Sequence, residues 1–350
     1  MKRNIIKRYG AFWAHEETDR PILCITVPDE TAAWEEHAPR TPYDKWENLE
    51  AKYAWSRFSM EHTNYFGEAV AHEWVNFGPG CMAAMMGSGY TIDYDTIWFG
   101  AEEFFFKDWS NIDDLCLLKD SPMYGMVKEM TRISIQRNDG TYLTGISDLG
   151  GNLDILASLR NTQDLLTDLY EYPDMVLRAA EIIDEAWIEY YSMLRGMLKA
   201  SGQRGHTTWL GPWCETSYYP LQCDFSAMIS PDDFARFVMP SMKRITDYLD
   251  HSIYHLDGPG EIFHLDQLLS LRRLDGIQWV PGDGNAPVWD EKWFPLYEKI
   301  QDAGKCIVLH GIRSVESALE ICKNLHPKGL SLYVELQTEE EARELLARSL

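Results

Sequence analysis

Positive charge is what this sequence has least of. Across 350 residues, 32 Lys+Arg face 55 Asp+Glu, a formal net charge of −23. Nucleic acids and anionic membrane surfaces need a basic footprint to neutralise phosphates, so both are excluded as partners. No apolar run approaches the roughly 18 residues that span a bilayer. The basic start Met1-Lys2-Arg3-Asn4-Ile5-Ile6-Lys7-Arg8 leads into neither an apolar core nor a small-residue cleavage site, so it does not read as an export signal. Cys-x-x-Cys is missing too. The cysteines at 24, 81, 116, 214, 223, 306 and 322 are odd in number and scattered, which rules out a disulfide scaffold or a zinc ribbon. A reduced, cytoplasmic setting is the expectation. Gly78-Pro79-Gly80 and Gly87-Ser88-Gly89 lack a downstream Gly-Lys-Ser/Thr, so no phosphate loop is supported. His72-Glu73 has no second histidine at the helical spacing of a zincin.

Aromatic side chains, by contrast, are abundant: 13 Trp and 18 Tyr, with aromatics at 13% of the chain. They suit a core, and equally a ring-shaped ligand. Hydrophobic residues at 45% and charged residues at 25% are ordinary globular usage. No repeat, linker or composition break divides the chain, so residues 1–350 read as one large domain rather than two average ones.

Short apolar runs rich in β-branched and aromatic residues recur between longer helical patterns. They are Ile22–Val27, Ala69–Phe77, Thr141–Ile146, His206–Leu210, Ser252–Leu256, Gly276–Val280, Cys306–Leu309 and Leu330–Val334. Such runs suit parallel strands buried on both faces. Between them lie helix starts with a physical basis. Ser230-Pro231-Asp232-Asp233 offers an N-cap, a proline for the first turn and acids at the positive end of the dipole, with a kink expected at Pro240. Thr338–Glu341 spells a capping box. A long helix is expected from about Asp174 to Leu198. Eight strands alternating with helices predict an α/β fold, a (β/α)8 TIM barrel. The glycine-rich stretch through Gly78–Gly100 and Phe104-Phe105-Phe106 reads as an N-terminal insertion.

In such a barrel, chemistry sits on the loops leaving the carboxyl ends of the strands. The polar residues at those ends are Asp148, Glu215, Asp257, Asp283, His310 and Glu335. Alternation along Tyr254-His255-Leu256-Asp257-Gly258 puts His255 and Asp257 on one face, within reach of one ion. The competing reading is a hydrogen-bonded barrel histidine and a turn-capping aspartate. Trp209-Leu210-Gly211-Pro212-Trp213-Cys214-Glu215-Thr216-Ser217-Tyr218 suggests an aromatic-walled pocket, or plain packing around an inert thiol. Cys223-Asp224 ranks lower. Asp148, Glu215, Asp257 and His310 are thus the catalytic candidates, and Trp213, Tyr218, Tyr254 and Trp279 the substrate-binding ones.

Residues Ile146 to Ile312 resemble the uroporphyrinogen decarboxylase superfamily. The resemblance is carried by Leu165-Leu-Thr-Asp-Leu-Tyr170 with Pro173-Asp174, by Met228-Ile-Ser-Pro-Asp-Asp-Phe234 with Phe237-Val-Met-Pro240 and Lys243-Arg-Ile245, and by His255-Leu-Asp-Gly258, where relatives carry His-x-Cys-Gly. It implies a barrel and one of two chemistries: cofactor-free decarboxylation of a tetrapyrrole, or zinc-dependent methyl transfer from methyl-corrinoids. The decarboxylase's arginine-rich loop is replaced by Arg20-Pro-Ile-Leu-Cys-Ile-Thr-Val-Pro-Asp-Glu30, and an acidic protein is a poor receptor for an octacarboxylate, so this is not a true uroporphyrinogen decarboxylase. In the methyltransferase branch, Asp257 stands where the first zinc-ligating cysteine is, and Glu335 near the second. The implied set for a divalent metal, zinc in the first instance, is His255, Asp257 and Glu335, harder than His/Cys/Cys. The expected activity is metal-dependent methyl transfer involving a small, non-polyanionic substrate, with a corrinoid protein as partner and a homodimer by superfamily habit. The alternatives are a lyase, isomerase or hydrolase on a sugar-like substrate, using Asp148, Glu215 and Asp257 as acid/base groups, or a non-catalytic binding protein.

Overall fold

The computed structural model describes residues 3–100 and 104–349. Residues 1–2 of the basic start and 101–103 of the expected insertion lie outside the described residues. The strands in chain order are β1 (Ile22–Pro28), β2 (Thr63–Gly67), β3 (His72–Glu73), β4 (Tyr90–Ile92), β5 (Ile97–Phe99), β6 (Leu143–Thr144), β7 (Tyr218–Gln222), β8 (His251–Asp257), β9 (Gly276–Val280), β10 (Cys306–Ile312) and β11 (Leu330–Glu335). Seven of them form one sheet in the order β2-β1-β11-β10-β9-β8-β7. Every neighbouring pair in it is parallel except β1–β2. β3 pairs with β6 in a separate parallel ladder, and β4–β5 is an antiparallel hairpin.

The second half of the chain follows its sequence closely, since β8 to β11 cover the four expected runs. The first half departs from it. The run 69–77 narrows to β3, and 141–146 to β6 plus a bridge from Ile146 to Thr208. His206–Leu210 makes only isolated bridges, and the strand beside β8 is β7 instead. All five β7 residues, Tyr-Tyr-Pro-Leu-Gln, are buried. Pro220 has no N–H to give, which is tolerated because β7 is the last strand of its ladder. Among the described residues, a continuous eight-stranded closed ladder is therefore not formed. The architecture is α/β with a seven-stranded, mostly parallel sheet.

Helix starts obey their capping chemistry. Ser230 Oγ accepts the Asp233 N–H at 3.1 Å, and Thr338 and Glu341 cap each other reciprocally. Pro231–Tyr248 is one continuous helical run in which a π-bulge over Phe234–Val238 immediately precedes Pro240, so the expected irregularity appears as a bulge in the turn before the proline, which has no N–H to give.

One end of the sheet is stoppered. The helix Arg3–Trp13 buries Tyr9, Phe12 and Trp13 against Trp213, Tyr218 and Ile253. The Trp13 indole donates to the Trp213 carbonyl at 2.8 Å and packs 5.0 Å from Tyr218, the first residue of β7. His251, the first residue of β8, lies 4.8 Å from the same indole. This apolar plug covers the amino ends of the strands, which leaves the carboxyl ends as the place for a site.

Candidate metal centre and its flanking cavities

Strand parity builds the centre. On β8, Tyr254 and Leu256 face the helix layer, so Ile253, His255 and Asp257 face inward. On β7, Tyr219 and Leu221 face the helices, so Gln222 faces inward, and Asp224 follows two residues later on the same side. Gln222 is the register partner of His255, which brings the two strand ends together. As a result Asp224, His255 and Asp257 each offer a ligand atom, all within 4.8 Å of one another.

The tautomer of neutral His255 follows from a hydrogen-bond chain. Gln278 on β9, register partner of His255, sits between two histidines. Its Oε1 lies 2.5 Å from His255 Nδ1, and its Nε2 lies 3.0 Å from His310 Nδ1. His310 Nε2 lies 3.1 Å from the Leu210 carbonyl. That carbonyl can only accept, so His310 carries its proton on Nε2. Burial holds His310 down to about 4, so it is neutral near pH 7 and its Nδ1 is a bare acceptor. Gln278 must then donate from Nε2 and accept at Oε1, and His255 donates from Nδ1. The outcome is a His255 Nε2 lone pair aimed toward Asp257 Oδ2, 4.0 Å away. The Tyr333 ring stacks on His310 at 4.2 Å and fixes its plane, while Trp209 stands edge-on to His255 at 5.2 Å.

Carboxylates crowd around this centre. Asp154, on the helix Asn152–Arg160, accepts the backbone N–H groups of Phe225 at 2.8 Å and Asp224 at 3.2 Å, pinning the loop that carries Asp224. Burial and the Asp224 charge both raise the Asp154 pKa; partial desolvation, with the Asp257 charge, raises that of Asp224 although its side chain still meets solvent. Burial also pushes Asp148 up to about 7, with Asp224 adding to it. Glu261 is buried and pushed up to about 9 by desolvation first and Asp224 second. Its Oε2 accepts the Asp257 N–H at 3.3 Å and the Tyr254 hydroxyl at 3.4 Å, and its Oε1 has no partner among the described residues.

Two cavities flank the centre. One, of about 410 Å³, lies over the carboxyl ends of β9 and β10 and is walled by Trp279, Val288, Trp289 and His310. The other, of about 510 Å³, lies between Asp224 and the helix Asn152–Arg160.

The sequence-derived candidates divide accordingly. His255, Asp257, Asp148 and His310 gather at the carboxyl ends. Glu335 does not join the ligand cluster; it pairs with Arg313 at 3.7 Å, both largely exposed. Glu215 precedes β7 rather than following a strand, so it lies at the amino end and pairs with Arg204 at 2.7 Å on the surface. Trp213 and Tyr218 belong to the amino-end plug, and Cys214 with them. Tyr254 and Trp279 lie on the outward faces of β8 and β9; Trp279 packs on Trp293 at 4.8 Å and also lines the smaller cavity. Cys223 is buried in the helix-side core. Gln278 was missed outright; Asp224 was ranked low beside Cys223, and Trp209 was named only within the aromatic stretch. For Asp224 the signal was present: Gln222-x-Asp224 repeats the parity of His255-x-Asp257 once β7 is placed correctly.

The donor set suits a divalent ion. A tetrahedral ion with bonds of about 2.1 Å sets its ligand atoms ~3.4 Å apart, so a contraction of about 1 Å would close this cluster around one. A bare imidazole nitrogen, oriented by a hydrogen bond at its other nitrogen, is the usual form of a metal-binding histidine. With two carboxylates it makes a borderline-to-hard site.

No protein-family model matches the chain, and no curated protein matches it in sequence. Among solved structures it shares the fold of a methyltransferase from Methanosarcina mazei, with a TM-score of 0.63 over 99% of this chain and 98% of that one, at 12% identity. What is shared with that methyltransferase is the fold, and no family model supports the expected uroporphyrinogen decarboxylase superfamily. No described helix is long and apolar enough to cross a membrane.

Proposed function

We propose that the chain is a methyl-group-transfer enzyme centred on a divalent cation, zinc in the first instance, held by Asp224, His255 and Asp257. The observation that carries this reading is the His255 Nε2 lone pair, fixed by the Gln278–His310–Leu210 chain, beside two carboxylate ligands. The fold shared with a methyltransferase supports it. A cation held by these three residues would supply Lewis acidity that lowers the pKa of a bound acceptor and so makes it nucleophilic near neutral pH. Ligands harder than thiolates favour an amine or hydroxyl acceptor over a thiol. A corrinoid partner would supply the methyl group as an electrophile, its Co–C bond breaking with the electron pair left on cobalt as Co(I) while the acceptor's lone pair forms the new bond; Asp148, whose pKa burial raises to about 7, would take the proton the acceptor loses. The reading treats residues 1–350 as one cytoplasmic unit acting as a homodimer.

Elemental analysis of protein purified without chelator tests it. About one zinc per chain, lost in His255→Ala, is expected, together with demethylation of methylcobalamin that depends on an added amine or alcohol. Failure to bind zinc on direct titration would sink the reading. A second reading, a lyase, isomerase or hydrolase using Asp148 and Glu261 as raised carboxyls, is favoured instead if turnover of a polar substrate survives exhaustive chelation.

A further inference from the structure

Gln222, His255 and Gln278 occupy one row across β7, β8 and β9, because each is the register partner of the next. The histidine thus has a glutamine on either side, and the two are used differently. Gln278 spends both of its amide atoms on His255 and His310. Gln222 is only 6% exposed, yet its amide makes no hydrogen bond with any described residue. Buried side-chain amides nearly always have partners, so an unbonded one beside a candidate reaction centre points to a group that arrives from outside.

Strand parity says where that group comes from. Tyr219 and Leu221 pack on the helices, so Gln222 turns inward, where it forms part of the wall of the 510 Å³ cavity beside Phe104 and Phe225. The carboxylates of that wall are committed already. Asp154 gives its oxygens to the backbone N–H groups of Phe225 and Asp224, and Asp224 belongs to the ligand cluster. No lysine or arginine lines the cavity among the described residues. The Gln222 amide is what remains next to the cluster to meet a bound molecule. It presents one acceptor and two donors. A hydroxyl or a carboxamide answers both kinds. An ammonium answers only the acceptor; an ether or a carboxylate answers only the donors, and a carboxylate also meets the acidic wall.

We propose that this cavity binds a neutral molecule with a largely apolar body and a hydroxyl or carboxamide head, and that the Gln222 amide pairs with that head. The volume lies within the ordinary range for small-molecule sites, which combine an apolar lining with a few placed polar groups. The inference goes beyond the transfer reading and needs no cation.

Titration of the metal-free full chain with matched compounds tests it, followed by NMR at the indole N–H of Trp98, which lines the same cavity. Benzyl alcohol and benzamide carry the two heads; benzyl methyl ether, benzylammonium and benzoate lack one half of the pairing. The alcohol or the amide is expected to bind about three- to tenfold more tightly than the other three, the range of a neutral hydrogen bond, and the tighter of the two identifies the head. Gln222→Met, of similar volume, is expected to bring both down to the level of the ether. Its thermal midpoint should not fall, because no protein hydrogen bond is removed, and its zinc affinity should stay within about twofold of wild type. Gln222→Asn, which draws the amide back by one methylene, carries the same comparison if the methionine variant does not fold. Equal affinity across the five compounds, no binding of any, or a preference that survives both substitutions would overturn the proposal. So would a lowered midpoint in Gln222→Met, which would make the amide structural, or loss of zinc binding there, which would make it a metal ligand. The expected preference without zinc binding to the wild type would sink the metal reading alone.

Discussion

Gln278 touches no ion or substrate in the reading given above, yet it sets the state of the histidine that does. Replacing it with leucine removes the acceptor 2.5 Å from His255 Nδ1 and the donor 3.0 Å from His310 Nδ1 in one step. His255 then chooses its own tautomer, and the form with its proton on Nε2 has no lone pair to offer the cluster from that nitrogen. Loss of such an outer partner typically weakens metal binding by about 10- to 100-fold. At about 1.36 kcal/mol per tenfold, that is roughly 1.4–2.7 kcal/mol. The fold should survive, because leaving His310 Nδ1 unpaired costs about 1–3 kcal/mol against a typical total of about 5–15 kcal/mol. Gln278→Glu separates the two roles. It keeps an acceptor for His255, so zinc affinity should stay within about threefold, but it offers His310 no donor.

Zinc affinity is read by competition with a chromophoric chelator. The tautomer is read by nitrogen NMR of histidine side chains in metal-free protein. The wild type should show His255 with its proton on Nδ1, and Gln278→Leu should show a mixture or the opposite form. The reasoning fails if Gln278→Leu binds zinc within about twofold of wild type, or if wild-type His255 carries its proton on Nε2. The NMR arm needs no metal, so a broken relay and a missing metal site are told apart.

Three further outcomes are expected. Asp224→Ala should abolish zinc binding while Glu335→Ala leaves it intact; the reverse result would restore the ligand set expected from sequence. Glu73 is buried on β3 and pushed up to about 7 by desolvation, so between about pH 4.5 and 7 the folded state binds more protons than the unfolded one. Its contribution to stability should therefore fall by about 3 kcal/mol at most as pH rises through that window, and Glu73→Gln should lessen the slope in chemical denaturation, the rest coming from other raised carboxyls such as Asp148. Lys52, held down to about 8 beside it, stays charged throughout the window and leaves the slope unchanged. Gly151→Ala would set its Cβ 2.0 Å from the Gln222 carbonyl, prying the helix that carries Asp154 away from β7. A stability loss of about 3 kcal/mol with weakened zinc binding is expected, and a near-neutral effect on both would refute the packing argument.

The sequence was legible wherever burial on both faces produced continuous apolar runs. Leu-Tyr-Val and Ile-Val-Leu could only be inner strands, and β8 to β11 followed. It misled where aromatic residues and a proline disguised a strand. Tyr218-Tyr-Pro-Leu-Gln222 reads as a loop because proline is rare in strands, and only the ladder's end at β7 makes Pro220 acceptable. That single misplacement moved Glu215 to the wrong end of the sheet and kept Asp224 a low-ranked candidate, because both are counted from the strand. Gln278 was invisible for another reason. A glutamine in Gly-Ile-Gln-Trp-Val carries no metal or acid/base signature, and its role exists only through a cross-strand pairing that registers it beside His255.

Strand spacing explains why Asp224 rather than Glu335 completes the cluster. β11 is three ladder positions from β8, and neighbouring strands lie about 4.8 Å apart, so the two strand ends are separated by ~14 Å before any curvature. A glutamate at the end of β11 and an aspartate at the end of β8 can share one ion only if the sheet curls tightly and Glu335 turns inward, and here it turns outward to Arg313. β7 is one position from β8, and equal parity aims Gln222-x-Asp224 and His255-x-Asp257 at the same point. A centre built from adjacent strands sits to one side of the sheet, not on its axis. That placement leaves the β9–β10 side open, where His310 borders the smaller cavity, and puts the larger cavity directly against Asp224.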